Sequence, residues 1–422
     1  MKVNLEKAVE ERKKVGEKLL PIFYSYREKR KASLKKIDRE EMIKSLRELK
    51  ENCLKNMEKL KKSAIKSLEK NGIIVIEAKN SVEVTKALKK IIGSEKLIVK
   101  SKSNTFNELD LAEAFKGKEV VETDLGDFLV QIAQIEGIHP VFPALELTPE
   151  KIAEVLKKSL GAEVRPDSKE IVDFVRGCLR EKIRGAKIGI TGANVITADG
   201  SIVIIENEGN ISLVSRLPDK HIIVSSFDKI VPTLEDALKV VKCAAVYGSG
   251  QGYPVYVSII SGPSKTADIQ NELVTGAQGA KEVYLILIDN CRSKILDSDY
   301  KELLHCINCG ACLNFCPVYH QIQNLYGSSY SGPKGVVFAR FQEGLKKAKE
   351  AGAFYCTGCG ACKENCPAGI DLPELVRKVR EELSKAGLAP EGTKKAMKNI
   401  KEFGNSMGEA KDAISADDWQ CC

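Results

Sequence analysis

A chain of 422 residues is longer than one ordinary hydrophobic core organises, so two or three domains are expected. Its 43% hydrophobic and 29% charged residues are those of a soluble globular protein, and its longest apolar runs, such as Val283 to Ile288, are strand-length and too short to span a bilayer. The net charge of +8 comes from the N-terminal segment, where acids alternate with bases as on a solvated helix face; no recognised motif accompanies it, so nucleic acid is excluded as a partner.

Residues 1–70 read as a helical N-terminal arm. Pro21 breaks the first helix, and Ile43, Leu46, Leu49, Leu54, Met57, Leu60 and Ile65 recur at helical spacing in the second, which packs on the domain that follows. The start, Met1 to Lys7, has no apolar core of signal-peptide type.

From Asn71 short apolar runs alternate with helices, and residues 71–295 form an α/β domain. Strand Ile73 to Ile76 precedes a helix capped by Ser81 and ended by Gly93. Strands Leu97 to Val99 and Val120-Val121 follow, then a helix opened by Thr148-Pro149 and another with Ile171, Phe174, Val175 and Cys178 on one face. Strands are expected at Ile188 to Ile190, Ile202 to Ile205, Ile211 to Val214 and Ile222 to Val224. A capping-box-like Thr233 with Asp236 starts a helix; strand Val255 to Ile260, a helix from about Thr266 to Thr275 and strand Val283 to Ile288 complete the domain. The pattern predicts a mainly parallel sheet with helices on both faces.

Three loops stand where ligands bind in open α/β sheets, at the carboxyl ends of strands. They are Gly192-Ala193-Asn194, Glu206-Asn207-Glu208-Gly209-Asn210, and Gly262 to Asp268, where Ser264, Lys265 and Thr266 would offer an anion a helix start. The competing reading is that Gly and Asn only make turns there. No Gly-x-Gly-x-x-Gly or Walker A spacing occurs at a strand–helix junction, so no NAD, flavin or ATP site is expected.

Residues 296–385 carry one phrase twice: Cys306, Cys309, Cys312, Cys316-Pro317 and Cys356, Cys359, Cys362, Cys366-Pro367, both Cys-x-x-Cys-x-x-Cys-x-x-x-Cys-Pro. That run holds a 4Fe-4S cluster in two-cluster ferredoxins, the fourth cysteine ligating the other cluster. One cluster should take Cys306, Cys309, Cys312 and Cys366, and the other Cys356, Cys359, Cys362 and Cys316. Gly310 and Gly360 would let the backbone approach the cube where a Cβ would collide. Zinc normally asks for two Cys-x-x-Cys pairs, which is not this spacing. A helix is expected over Val336 to Lys349, giving an all-helical module. Phe315, Tyr319, Tyr326 and Tyr330 flank the first run, and Tyr326 and Tyr330, in a Gly/Ser-rich loop, are candidates for contact with a partner, against the alternative that such rings pack a small core.

Eight of the 14 cysteines are spent on these runs. Cys53, Cys178, Cys243 and Cys291 are scattered without a pairing pattern, and Cys421 and Cys422 end the chain, so a reducing cytoplasmic compartment is expected. Residues 386–422 read as a polar tail.

Several phrases together resemble the iron–sulfur members of the lactate utilisation (LUD) family over about residues 60–385: Val99-Lys100-Ser101-Lys102-Ser103, Glu122 to Asp127, Gly192-Ala193-Asn194, Gly200 to Val203, Asn207 to Asn210, Ile288-Asp289-Asn290 and both cysteine runs. The family's α/β domain is similar to the CoA-transferase and sugar-phosphate-isomerase-like fold, in which an acid near a Glu-Asn-Gly loop can be catalytic; Glu206 and Glu208 occupy comparable ground. The chain departs from the family in having Glu146 after Pro143-Ala144 where a second histidine would join His139, and Cys291 after Asp289-Asn290 where the family tends to glycine. Gly404 to Glu409 and Asp418-Trp419 are similar to the linker after the clusters in heterodisulfide reductase D and glycerol-3-phosphate dehydrogenase C subunits. The resemblances imply a subunit that passes single electrons during oxidation of lactate or a related 2-hydroxy acid. They also imply a separate CCG-type or flavin-containing partner, through which any association with a membrane would come. Three alternatives remain at this point: an α/β domain that itself transforms a small organic acid or CoA-like substrate, a subunit of a heterodisulfide-reductase-like complex, and a redox-sensing scaffold.

Overall fold

The computed structural model describes residues 5–135, 137, 143–144 and 147–409. His139, Glu146, Asp418, Trp419, Cys421 and Cys422 lie outside the described residues. Three helices lead: α1 (Leu5–Leu34), α2 (Arg39–Lys55) and α3 (Met57–Lys70). Pro21 does not break the first; α1 runs 30 residues through it. Pro21 and Glu17, whose carbonyl it frees, both face solvent, so water replaces the lost bond. The buried side of α1 is held by Tyr26, whose Oη donates to the Tyr247 carbonyl at 2.6 Å, and by Phe23, stacked 4.3 Å from His320.

The α/β domain contains β1 (Ile73–Ala78), α4 (Ser81–Ile92), β2 (Leu97–Lys100), α5 (Ala112–Phe115), β3 (Glu119–Glu122), α6 (Leu125–Ala133), α7 (Pro149–Leu160), α8 (Ser168–Gly185) and β4 (Ile188–Thr191). It continues with β5 (Val195–Thr197), β6 (Ile202–Glu206), α9 (Asn210–Arg216), β7 (Lys220–Ser226), β8 (Ile230–Val231), α10 (Leu234–Ser249), β9 (Tyr256–Ile260), β10 (Lys265–Thr266), β11 (Val274–Thr275) and β12 (Glu282–Ile288). Six strands form a wholly parallel sheet in the order β1-β12-β7-β4-β2-β3, as the alternation predicts. A second, mixed sheet, β8-β5-β6-β9, stands beside it. Helix α4 covers one face of the parallel sheet with Val84, Leu88 and Ile92 against Ile98, Ile190, Val224 and Ile286. On the other, α6, α7 and α8 bury Phe128, Leu156, Ile171, Val175 and Ile183.

Three local expectations are corrected. The cap of α4 is Asn80, whose side chain accepts from the Glu83 N–H, and Ser81 is the first helical residue. Ile211 to Val214 is helix α9, not a strand: Gly209 turns left-handed at φ 79°, and the Glu206 carboxylate accepts the Ser212 N–H at 2.8 Å, which rewards the helical turn. Thr266 to Thr275 is a hairpin, not a helix. Gln270 and Asn271 both adopt positive φ, and Lys265 and Thr266 pair with Thr275 and Val274. Ser264, Lys265 and Thr266 therefore have no helix start to offer an anion.

The cluster module follows as α11 (Arg292–Leu296), α12 (Pro317–Ile322), α13 (Gly332–Gln342), α14 (Leu345–Glu350), α15 (Ala361–Glu364) and α16 (Leu372–Lys385), with α17 (Glu391–Phe403) beyond. The helix expected over Val336 to Lys349 is two helices, parted where Gly344 takes φ 94°. One apolar core runs from α1–α3 through the second sheet and α10 into this module. Among the described residues no helix is long and apolar enough to cross a membrane.

Candidate iron–sulfur site and adjoining cavity

The two cysteine runs adopt the same backbone form. Asn308 and Gly358 at the third position take φ 59° and 69°, and Gly310 and Gly360 at the fifth take 76° and 80°. A Cβ on Gly360 would meet no protein atom within 4 Å, so its left-handed conformation, rather than crowding by the chain, accounts for the glycine. Cys316 is the N-cap of α12, its Sγ accepting the Tyr319 N–H at 3.5 Å, and Pro317 fills the first helical position.

The thiols gather across the runs. Cys306, Cys309, Cys312 and Cys366 line one cavity together with Gly310, Pro367 and Lys334. Burial, then the neighbouring Cys366 and Cys306, push the Cys309 thiol well up. Burial raises Cys366 to about 11, with Cys306 adding to the rise. In the other group burial, then Cys316, Cys356 and Cys359, push Cys362 up to about 12. Burial raises Cys316 to about 11, with Cys356 and Cys359 adding to it. All eight are free, and main-chain N–H groups point at the sulfurs, Asn308 to Cys306 at 3.4 Å among them. Such donors suit thiolates that carry a metal cluster. Among the described residues no three His, Cys, Asp or Glu side chains gather as one metal ion would require. A cube with one thiolate per iron asks instead for four sulfurs spread around a larger space. The four cysteines of the first group are half-buried; in the second Cys316 and Cys362 are buried, Cys356 is half-buried and Cys359 is exposed.

A cavity of about 690 Å³ opens between the carboxyl ends of the strands and the Cys306–Cys309 loop. Lys102 after β2, Asp124 after β3, Asn194 after β4 and Glu206 to Glu208 after β6 line it, with Asn308 and Cys309 opposite. Helix α10 ends against that loop: a Cβ on Gly248 would stand 3.0 Å from the Cys309 carbonyl oxygen. Burial pushes the Asp124 carboxyl up to about 7; Lys102 opposes this, and Glu208 and Asp127 reinforce it. Burial also raises Glu208, whose carboxylate accepts the Leu125 N–H at 3.1 Å.

Asp124 also caps α6, accepting from Gly126 and Asp127. Asparagine caps as well as aspartate, so Asp124→Asn keeps the cap and removes the buried charge. With a folded value near 7 against 3.8 unfolded, Asp124 costs stability increasingly as pH rises through that window. The variant should be more stable than the parent at pH 8 by on the order of 1–2 kcal/mol, and the gain should vanish below pH ~4. Urea unfolding at both pH values measures this; an equal difference at both would contradict it.

Comparison with known proteins fits these two halves. The LUD domain family matches residues 61–288, and the 4Fe-4S dicluster domain matches residues 302–370. Lactate utilization protein B of Bacillus pumilus is 37% identical over 309 residues, covering 72% of this chain and 63% of its own. That of Bacillus cytotoxicus is 36% identical over 352 residues, covering 82% of this chain and 71% of its own. The chain belongs to the lactate utilization protein B family. It spans less than two thirds of the Bacillus pumilus relative's length. A crystal structure of a DUF162 family protein from Deinococcus radiodurans is also similar, at TM-score 0.31 and 14% identity, over 55% of this chain and 98% of that one.

Of the loops named from the sequence of this family member, Asn194, Glu206, Asn207, Glu208 and Asn210 meet in the cavity, and Gly192 and Ala193 line the smaller one beside it. Gly209 lies in the same loop, turning the chain into α9. Ser264, Lys265 and Thr266 line neither. Glu206 is 4% exposed and is taken up by Ser212 and Ser258, so its oxygens hold α9 and β9 in place. Gly192 is demanded by packing, since a Cβ there would lie 2.2 Å from Ser103 Oγ. Cys243 is buried and Cys178 half-buried. Tyr326 and Tyr330 are 0% and 8% exposed, so they are core and not a partner contact; the Gly327–Ser331 bridge folds the loop inward.

Sequence reading missed a buried ion network joining the halves. Arg292 donates to both Glu108 oxygens, at 2.6 and 2.8 Å, and to Asp228 at 2.6 Å. Tyr330 and Gln342 of the cluster module also donate to Glu108. Burial works against both carboxylates, but Arg292 together with Tyr330 and Asn290 at Glu108, and with Lys50, Ser226 and Lys229 at Asp228, holds them below their ordinary values. Lys102 and Asp124 were missed as cavity residues although both follow parallel strands, which is the signal that could have found them.

Proposed function

We propose that this chain is an iron–sulfur electron-transfer subunit in the oxidation of lactate or a related 2-hydroxy acid. The observation that carries the reading is the exchange of fourth cysteines: Cys366 joins the first run's group and Cys316 the second's. The ligands would be Cys306, Cys309, Cys312 and Cys366 for one 4Fe-4S cluster, and Cys356, Cys359, Cys362 and Cys316 for the other. Such clusters carry one electron each, whereas oxidising a 2-hydroxy acid releases a pair, so a flavin-containing or CCG-type partner subunit would do the substrate chemistry. The chain's own residues shape the path. Exposed Cys359 offers an entry at the surface, and half-buried Cys309 faces the cavity. Arg380 donates to the Ala353 carbonyl at 2.7 Å and to the Cys356 carbonyl, fixing the outer loop.

A second reading is favoured by the cavity itself. At about 690 Å³ it has room for a small organic acid or part of a larger ligand, and it reaches the first cysteine group. The two readings part in one experiment. Given lactate anaerobically, the isolated chain should leave its clusters oxidised, and reduction should appear when the co-purifying partner is restored. Reduction by lactate alone would overturn the electron-transfer reading and place the chemistry in this chain.

A further inference from the structure

Lys334 carries a buried charge that no carboxylate answers. It is 8% exposed, donates to Asn308 Oδ1, and stands 3.6 Å over the Tyr330 ring and 5.1 Å over Phe338. Among the described residues no carboxylate pairs with it. It lines the same cavity as Cys306, Cys309, Cys312 and Cys366. Lys50, 2% exposed, approaches from the other side, with its Nζ on the Asp228 carbonyl at 2.6 Å, and together with Lys229 it lines the space against Cys306, Ile307 and Asn308.

Around that loop stand Lys50, Lys229, Arg292 and Lys334, and the ion pairs there, both made by Arg292, use the carboxylates Glu108 and Asp228. The cations there outnumber the paired carboxylates by two, and an uncompensated buried cation is costly. An oxidised 4Fe-4S core with four thiolates has a net charge of about −2, which is the missing counterpart. The outer group differs: beside it lies Arg380, half-buried and bonded to main-chain carbonyls, next to exposed Cys359 where water screens charge.

We infer that Lys334, supported by Lys50, is the counter-ion of the first cluster and holds its reduction potential up against the burial that would depress it. Reduction adds a negative charge beside buried Lys334, and a fixed cation in low dielectric offsets that cost. The first cluster can then accept an electron arriving from the second, which reaches the surface at Cys359. The inference rests on the crossed ligation proposed above.

The test is an anaerobic redox titration of the full reconstituted chain followed by EPR. Lys334→Gln keeps a donor for Asn308 and removes the charge. One of the two signals should move to lower potential, so that its reduced-to-oxidised ratio at a fixed ambient potential falls about tenfold, equivalent to ~59 mV for a one-electron couple. The other signal should stay. Lys334→Arg should titrate like the parent, and Lys50→Gln should move the same signal less. Loss of that cluster's iron in Lys334→Gln but not in Lys334→Arg would express the same need for charge. Full iron with neither signal moved in Lys334→Gln and Lys50→Gln would overturn the inference, as would an equal shift of both signals. A parent chain with fewer than about eight irons would instead fail the ligation reading, and iron analysis reports that before any titration.

Discussion

Cys316→Ser is expected to remove the cluster that its own run does not build. About half of the roughly eight irons should go, and the signal lost should belong to the group of Cys356, Cys359 and Cys362. Cys366→Ser should do the reverse and empty the group of Cys306, Cys309 and Cys312. Each run can hold three irons' thiolates on its own loop, but its fourth cysteine starts a segment that leads away to the other group. Iron analysis with EPR on both variants separates this from uncrossed ligation. Under uncrossed ligation Cys316→Ser would empty the group of Cys306, Cys309 and Cys312. Zinc in place of iron in the parent would sink the cluster assignment altogether.

Arg292→Met should be among the most damaging substitutions outside the cysteines. It strands two carboxylates, with Glu108 and Asp228 left buried and ionised, and breaking a buried pair in this way costs about 3–5 kcal/mol. The loss should be smaller at acid pH, where both groups can be protonated. Their folded values are depressed, so the stability they contribute is present above the ordinary carboxylate range and fades as pH falls below it. Arg292→Met combined with Glu108→Gln and Asp228→Asn should recover much of the loss, because no charge is then left unpaired. Denaturant unfolding of the single and triple variants decides the matter. A cost below ~1 kcal/mol for Arg292→Met would show that the network is not what joins the two halves.

How much of this was legible in the sequence depends on the distance over which each feature is specified. The parallel sheet was, because strand and helix alternate along the chain and the apolar runs of the inner strands β4, β7 and β12 are buried on both faces. The cysteine runs were legible for a similar reason, since a cluster needs three thiolates within one short loop. Spacing therefore named the eight cysteines and predicted their exchange. Short elements were not legible. Ile211 to Val214 has a strand's composition, but a carboxylate from β6 caps it into a helix; Pro21 is tolerated within α1 because its side faces water. Tyr326 and Tyr330 occupy a loop whose composition reads as exposed, yet a small cluster module must draw its rings inward to have a core.

The amino-acid order by itself thus determined the fold class, the iron–sulfur motif and the strand-end loops, all of which follow from patterns confined to neighbouring residues. Only the tertiary structure decided which groups share one environment. Glu108, Asp228 and Arg292 meet although the first and last are 184 residues apart in the chain, and Lys334 arrives behind Cys306 by way of α13. The reason is that burial creates the energetics of these groups. A lysine or carboxylate in the unfolded chain is answered by water wherever it stands, and its partner becomes specific only when packing excludes that water.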